Sequence, residues 1–270
     1  MTENIAQTRK IGLSGSTLKI IAIAVMFVDH FAASIWYRLP ALGYLQGGEA
    51  EYAAWWSSYM VMRQIGRTAF PIFCFLLVEG LFHTKNRVKY ALRLFVFALV
   101  AEAPFRLAFA GTGVEGASVM ATLFIGYMAI WGMEAAKERI NKRFADPAAR
   151  AVDNRPASVE SVKRQLALNL LHVAAWVPIA VAACYVAYWL DTDYDYRGIM
   201  LIMILYMLRE MRPLALIIGY ISFIWEAYCL PGFVLCWFYN GKRGLKLKYF
   251  FYIFYPAHLF LFYLIWRFLL

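Results

Sequence analysis

The sequence predicts an all-α protein, a bundle of about nine transmembrane helices with its N-terminus in the cytoplasm. Of the 270 residues, 63% are hydrophobic and 18% are aromatic, well above the roughly 45–50% apolar content of an average soluble domain. The apolar residues form runs of roughly 20, the length that a helix needs to cross the bilayer core. We therefore expect a single domain, residues 1–270, embedded in the lipid bilayer.

Apolar runs of span length predict five helices in the first two thirds of the chain, at residues 17–37, 65–82, 88–109, 119–135 and 166–190. The first run is span-length and contains charged residues, whereas the core of a signal peptide is shorter and purely apolar, so a retained span is favoured. The Trp- and Tyr-rich segment EAEYAAWWSSYM before the second span predicts an interfacial helix, with a surface loop as the alternative.

The C-terminal third does not divide into spans of ordinary length. The run GIMLIMILYML is short, and residues 213–239 are too long for one span. A single crossing of residues 213–239 would put Lys242 and Arg243 outside, against the positive-inside rule. We therefore expect a break near 226–232 that makes two short helices, followed by a last span at 249–270.

Basic residues concentrate in short connecting segments, mainly in the polar stretch 136–165 and in the loop after the second span. The positive-inside rule places both in the cytoplasm, and alternation then puts the acidic loop DTDYDYR, residues 191–197, outside. The net charge of +10 is thus explained by topology, and no nucleic-acid partner is expected. The four cysteines lie inside apolar runs without a C-x-x-C pair, so we expect packing residues and no metal site.

Several charged residues fall in the outer third of the predicted bundle. At about 1.5 Å per residue, Asp29 and His30 lie at this depth in the first span. Arg67 lies near the outer end of the second span, and Glu102 and Arg106 lie at the outer end of the third, spaced as a helix-face ion pair. A charge at mid-bilayer costs about 2.5–3.5 kcal/mol, so this layer predicts pairing or a water-filled cavity.

A second polar group is expected at the inner face: Lys19, Glu79, His83, Arg93, Asn240, Lys242 and Arg243. The YNGKRG turn combines glycine amides with cations and suits phosphate. For any one of these cations, an ordinary cytoplasmic flank is the alternative. Pro256 lacks an N–H and can open a polar pocket beside His258, whereas His172 has no charged neighbour and is expected to be structural. Asp193 and its neighbours predict a solvated loop, with contact to an acceptor or weak cation binding as alternatives.

Four segments carry a resemblance to a known family: LKIIAIAVMFVDH, IGRTAFPIFCFLLVEGLFHTKN, YRGIMLIMILYMLRE and YNGKRGLKLKYFFYIFYPAHLFLFYLI. In this order they resemble the TraX family of bacterial membrane proteins, named for a protein that acetylates pilin. The resemblance covers residues 19–265, although the basic stretch 136–165 belongs to none of the segments. It implies a multi-pass protein of the bacterial inner membrane that transfers an acetyl group from acetyl-CoA.

The resemblance gives the two polar groups expected roles. In the outer layer His30 would be the general base, with Asp29, Arg67 and Glu102 as the other catalytic candidates. Arg67 would stabilise the developing oxyanion or pair with Asp29 or Glu102. The inner group, together with His258, would bind coenzyme A. Direct transfer and a covalent acetyl-histidine both stay open.

The expected partners are an acyl-CoA, an unidentified acceptor that is a peptide N-terminus or a glycan, and the bilayer. A second copy of the chain in a homodimer is one option. Two other classes also fit buried acid and histidine residues in membrane helices. One is a proton-coupled transporter or exporter, and the other is a non-catalytic membrane partner in envelope or appendage assembly.

Overall fold

Helices make up nearly all of the regular structure in the computed structural model, which describes residues 12–144, 159–245 and 248–270. The helices are α1 (Gly15–Ser34), α2 (Glu49–Gly66), α3 (Ala69–His83), α4 (Arg87–Phe109), α5 (Val119–Arg143), α6 (Val159–Trp189), α7 (Asp195–Met207), α8 (Arg212–Ser222), α9 (Leu230–Trp237) and α10 (Lys248–Phe268). Within these residues the extended pairings are two isolated bridges, Leu13 with Tyr239 and Ala117 with Thr192. The predicted all-α class is confirmed.

The predicted elements correspond closely to these helices. The segment EAEYAAWWSSYM lies in α2, and the expected break in residues 213–239 separates α8 from α9 by a short 3-10 segment, Ile224–Cys229. The basic stretch 136–165 differs from the expected loop at both ends, because α5 continues through Arg143 and α6 begins at Val159. Its middle, with Arg150 and Arg155, lies outside the described residues.

Five helical stretches in the described part of the chain are long and apolar enough to cross a membrane: Gly15–Arg38, Glu49–His83, Val119–Arg143, Glu160–Trp189 and Tyr249–Phe268. Among the other helices, α4 carries Arg93, Glu102 and Arg106 within its apolar run. Helices α7, α8 and α9 are each shorter than one ordinary span. A helix below span length is stable in a membrane where other helices surround it.

Helix α7 occupies the centre of the bundle. Ile199, Leu201 and Ile202 are fully buried, because α7 packs against α3, α5, α6 and α8. Helix α6 is at the periphery, and its Val173 and Val181 side chains are more than half exposed. Apolar side chains exposed along a whole helix are typical of a surface that faces lipid.

The YNGKRG turn fixes the start of α1. The Gly15 and Ser16 amides, which have no partner within their own helix, donate to the carbonyls of Lys242 (2.8 Å) and Arg243 (2.9 Å). Gly244 in this turn has φ +74°, and a Cβ there would lie 2.0 Å from the Ser16 hydroxyl. Only glycine fits this position, and the turn therefore brings α1 and the segment before α10 to the same end of the bundle.

Candidate active site

Two buried histidines, His30 of α1 and His258 of α10, are joined by a hydrogen bond. His30 Nδ1 lies 2.7 Å from His258 Nε2, and the two rings are parallel within 5° with centroids 5.0 Å apart. Parallel rings at these two distances lie edge to edge, so the hydrogen bond runs in the plane of both rings. The side chains are 8% and 4% exposed, respectively.

The hydrogen bonds also determine which nitrogens carry protons. His258 Nδ1 lies 2.7 Å from the Phe254 carbonyl oxygen, which can only accept, so Nδ1 carries the proton. In a neutral ring Nε2 is then an acceptor, and His30 Nδ1 donates to it. His30 Nε2 is left with a free lone pair and has no hydrogen-bond partner among the described residues, which is the state that a general base requires.

Aromatic side chains enclose the histidine pair. Phe109 and Tyr255 present ring edges to His30 at centroid distances of 5.4 and 5.7 Å, and Phe254 stacks on His258 at 4.9 Å. These rings exclude water from the shared hydrogen bond. Electrostatic interactions are stronger where water is excluded.

His30 lines a small cavity of about 60 Å³. The other polar side chains that line it come from three parts of the fold: Asp29 in α1, Arg63 and Arg67 at the end of α2, and Asp193 and Tyr194 between α6 and α7. The cavity therefore collects acid, base and cationic groups in one layer, as predicted for Asp29, His30 and Arg67.

The charges around this cavity are paired. Asp29 Oδ1 lies 2.9 Å from Arg63 Nη1, and Arg67 Nε lies 3.4 Å from Glu226 Oε1. Arg67 Nη1 also donates to the Tyr194 hydroxyl at 3.5 Å. Partnered ions are what a buried layer in a membrane protein requires, and the partners of Asp29 and Arg67 are not each other.

Asp193 sits in the turn before α7, outside the membrane-spanning helices. Its backbone amide donates to the Ala117 carbonyl (2.8 Å), and its carbonyl accepts from Thr122 of α5. Burial raises the pKa of the Asp193 carboxyl to about 6, although Arg67 and Arg63 favour the ionised form. This carboxyl can therefore exchange a proton near neutral pH at the edge of the cavity.

A second, larger cavity of about 510 Å³ opens at the end of the bundle where α1 begins. Its lining includes a set of cations on four separate segments: Lys19, Lys85, Arg93 and Arg243. Glu79 and His83 also line it, and Glu79 is held by Arg209 Nε at 2.9 Å. The wall of the deeper part is apolar and aromatic, so the cavity has a positive mouth and an apolar interior.

The two cavities share a wall. Met26, Phe73 and Val119 line both of them. Lys19 and His30, which line the large and small cavities respectively, are separated by about 16 Å along α1. The fold thus places a cationic cavity mouth on one side of the shared wall and His30 on the other.

Four of the predicted site residues line neither cavity: Glu102, Asn240, Lys242 and His258. Glu102 accepts from Arg106 Nε (2.8 Å) and from the Ser118 amide (3.2 Å), so it belongs to the expected i, i+4 ion pair and to the start of α5. Asn240 bonds the Gly12 carbonyl and the Lys242 amide, which makes it a structural residue of the turn. Lys242 is exposed and does not line the large cavity.

His258, which was expected to bind coenzyme A with the inner group, does not line the large cavity, and its ring contacts His30 instead. The physical reason is depth: His258 follows the start of α10 by about three turns of helix, or roughly 15 Å. It therefore reaches the layer of His30.

Four residues of the site were not predicted from the sequence: Arg63, Tyr194, Glu226 and Tyr255. Arg63 precedes Arg67 by one helical turn and Tyr255 precedes His258 by nearly one, so both share a face with a recognised candidate. Glu226 is an acidic residue inside an apolar run, which was an available signal. Tyr194 offered no comparable signal.

Two features define the class of protein: apolar helices that can cross a membrane several times, and a buried acid–base layer beside a cationic cavity. This is a multi-pass membrane protein. The chain belongs to the TraX family, whose profile, described as TraX protein, matches residues 14–266.

One curated relative is similar over nearly its whole length. It is a protein of Dichelobacter nodosus described as probable fimbrial assembly protein FimC, serogroup H1. The two are 28% identical over 262 residues, which cover 93% of this chain and 95% of the relative. No solved structure matches the chain significantly.

Proposed function

We propose that this chain is an integral-membrane acetyltransferase that moves an acetyl group from cytoplasmic acetyl-CoA to an amine or hydroxyl of a pilus or envelope acceptor. The observation that carries the proposal is the His30–His258 hydrogen bond (2.7 Å) at a cavity that shares a wall with a larger, cation-lined one. Membership of the TraX family and the fimbrial name of the relative support the acceptor class.

The large cavity supplies the donor site. Coenzyme A carries three phosphates on a nucleotide and a thin arm that ends in the thioester. Lys19, Lys85, Arg93 and Arg243 line the cavity mouth, and Lys and Arg are the side chains that bind phosphate oxygens in proteins. The apolar interior accepts the arm, so the thioester reaches the shared wall at Met26, Phe73 and Val119.

The small cavity supplies the acid–base chemistry. His30 Nε2 takes the proton from the acceptor nitrogen or oxygen as that atom attacks the thioester carbon. The resulting imidazolium keeps its Nδ1 proton bonded to His258 Nε2, and Nε2 returns the other proton to the departing CoA sulfur. Arg63 and Arg67, held by Asp29 and Glu226, keep the acceptor side of the cavity polar and hydrated.

The proposed topology has nine membrane-embedded helices, α1 and α3 to α10, with the N-terminus and the cationic cavity mouth in the cytoplasm of a bacterial inner membrane. Helix α2 lies along the outer interface. This orientation places most basic residues inside and gives the donor site access to cytoplasmic acetyl-CoA. The acceptor then reaches His30 from the outer side.

Ligand binding by the purified protein in nanodiscs tests the proposal. Acetyl-CoA at about 100 times its Kd should stabilise the folded state by roughly 2.7 kcal/mol, read as a raised Tm. The double variant Lys19→Gln, Arg243→Gln should weaken this response, since it removes two cations from the cavity mouth. Absence of any response to acetyl-CoA and to CoA would overturn the acetyltransferase assignment.

Non-catalytic assistance in fimbrial assembly is a second candidate, favoured by the name of the Dichelobacter relative. It needs neither donor binding nor His30. An assembly defect that is rescued equally by wild type and by His30→Ala would favour it over the enzyme.

A further inference from the structure

The Tyr255 hydroxyl is a buried donor that no described residue satisfies. The side chain is 4% exposed, and its O–H proton has no acceptor among the described residues, although its oxygen is within reach of the Val119 amide. A buried hydroxyl whose proton has no acceptor destabilises a folded protein. A buried donor without a partner points to a ligand acceptor.

The Tyr255 hydroxyl lies beside the wall that the two cavities share, which we call the junction. Tyr255 lines the large cavity, and its ring edge contacts His30 at 5.7 Å and His258 at 5.8 Å between centroids. Its oxygen lies near the backbone amide of Val119, and Val119 lines both cavities.

The start of α5 lies beside the Tyr255 hydroxyl. Val119 is the first residue of α5, and the first amides of a helix have no partner in their own helix and carry the positive end of its dipole. Glu102 already accepts from the Ser118 amide at this helix start, so the Tyr255 hydroxyl is the free donor at the junction. It lies next to the base that activates an attacking acceptor.

We infer that Tyr255 is a catalytic residue whose hydroxyl donates a hydrogen bond to the thioester carbonyl oxygen of the acetyl donor. The inference rests on the proposed function. The acceptor atom attacks the carbonyl carbon, the C=O electron pair moves to oxygen, and Tyr255 stabilises the resulting oxyanion. When the C=O bond re-forms, the C–S bond breaks, and the CoA sulfur receives the proton held by His30.

Arg67, the cation that sequence reasoning offered for this role, is placed differently. It lines the small cavity but not the large one, and it is already bound by Glu226 and Tyr194. Its guanidinium is therefore already ion-paired and hydrogen-bonded on the side of the small cavity. The Tyr255 hydroxyl is uncommitted and lines the donor cavity.

The test compares Tyr255→Phe with wild type in CoA release from acetyl-CoA, using native membranes as the source of acceptor. Removal of an oxyanion donor lowers kcat by about 10²–10³-fold, so we expect this loss in Tyr255→Phe with KM for acetyl-CoA changed less than about threefold. Tyr263→Phe, on the same helix and outside both cavities, is the matched control and should keep the wild-type kcat.

A second measurement guards against a merely structural loss. 3-Fluorotyrosine at position 255 retains the hydroxyl and the packing while making the donor more acidic, so its kcat should exceed that of Tyr255→Phe by at least tenfold. Tyr255→Phe with wild-type kcat, or a fluorotyrosine variant as slow as Tyr255→Phe, would overturn the assignment. A wild type that binds acetyl-CoA and fails to release CoA would instead overturn the proposed function.

Discussion

Asp29 and His30 are neighbours in sequence yet belong to different interaction networks. Asp29 pairs with Arg63 of α2 at 2.9 Å, whereas His30 bonds His258 of α10 at 2.7 Å. Consecutive helix residues point about 100° apart, so the two side chains face different helices. The acid–base capacity of His30 therefore depends on His258, and Asp29 holds an arginine in the cavity wall.

Replacement of His258 tests this dependence. His258→Ala should lower kcat for acetyl transfer by about 10²-fold, a typical loss for impaired general acid–base catalysis, because His30 Nδ1 loses its acceptor. His258→Gln should recover part of the rate, since its side-chain oxygen can accept. The measurement is acetyl transfer at saturating acetyl-CoA.

His172→Ala is the matched control for this prediction. His172 is also buried, and it bonds Asn141 Oδ1 at 3.0 Å. It lines neither cavity, so its variant should transfer at the wild-type rate. Equal rates for His258→Ala and wild type would contradict the role of the histidine pair.

The sequence alone predicts the depth of these residues but not their partners. Depth along one helix follows from counting residues, which correctly groups Asp29, His30 and Arg67. Partner choice depends on how helices rotate against one another, and His30 and His258 are 228 positions apart. Thus Arg67 meets Glu226 in place of Asp29 or Glu102, and no local pattern could show it.

The junction of α1 and α2 depends on one glycine. A Cβ at Gly66 would lie 2.2 Å from Asp29 Cβ, so the absence of a side chain lets α2 end directly against α1. Helix α2 stops there, and Arg67 and Thr68 separate it from α3. The break turns Arg67 towards the cavity.

Gly66→Ala should therefore destabilise the protein by about 1–3 kcal/mol, as overpacking of a tight contact does, and should lower activity by displacing Asp29 and Arg63. Thermal unfolding in nanodiscs measures the first effect. Gly132→Ala is the control, because a Cβ there meets Ile179 at an ordinary 3.6 Å. An unchanged Tm for Gly66→Ala would show that α1 and α2 can separate without cost.

Most helices could be predicted because apolar runs and polar interruptions are strong local signals. The break in residues 213–239 followed from the length of the run and from the positive-inside rule, and it is present between α8 and α9. The extension of α5 through Arg143 and the early start of α6 could not be predicted from hydropathy. Helical hydrogen bonds continue through polar sequence, whereas hydropathy reports only the part of a helix that suits lipid.

In the whole molecule, the two groups of polar residues lie in separate layers at different depths along the helix axes. The cationic cavity and the histidine pair lie at different depths, and Met26, Phe73 and Val119 form the wall that the large cavity shares with the small cavity beside His30. Both cavities lie inside the bundle, with apolar α6 on the outside. Under the proposed function, such an arrangement lets donor and acceptor approach from opposite faces of one membrane.

Labelling of single cysteines in an otherwise cysteine-free chain tests the proposed orientation. Glu115→Cys, in the exposed α4–α5 connection, should react with a membrane-impermeant maleimide added outside spheroplasts. Lys142→Cys, exposed near the end of α5, should react only after the membrane is permeabilised. The opposite pattern would invert the bundle and remove the cytoplasmic donor site.

The hydrogen bond between His30 and His258 also has a consequence for biogenesis. The two histidines lie on the first and the last helix, α1 and α10, so the ribosome synthesises His30 long before His258. A partly inserted chain holds His30 with its Nδ1 unsatisfied. Under the proposed function, the reactive tautomer of His30 forms only when α10 joins the bundle, and chemical competence is thereby delayed until insertion is complete.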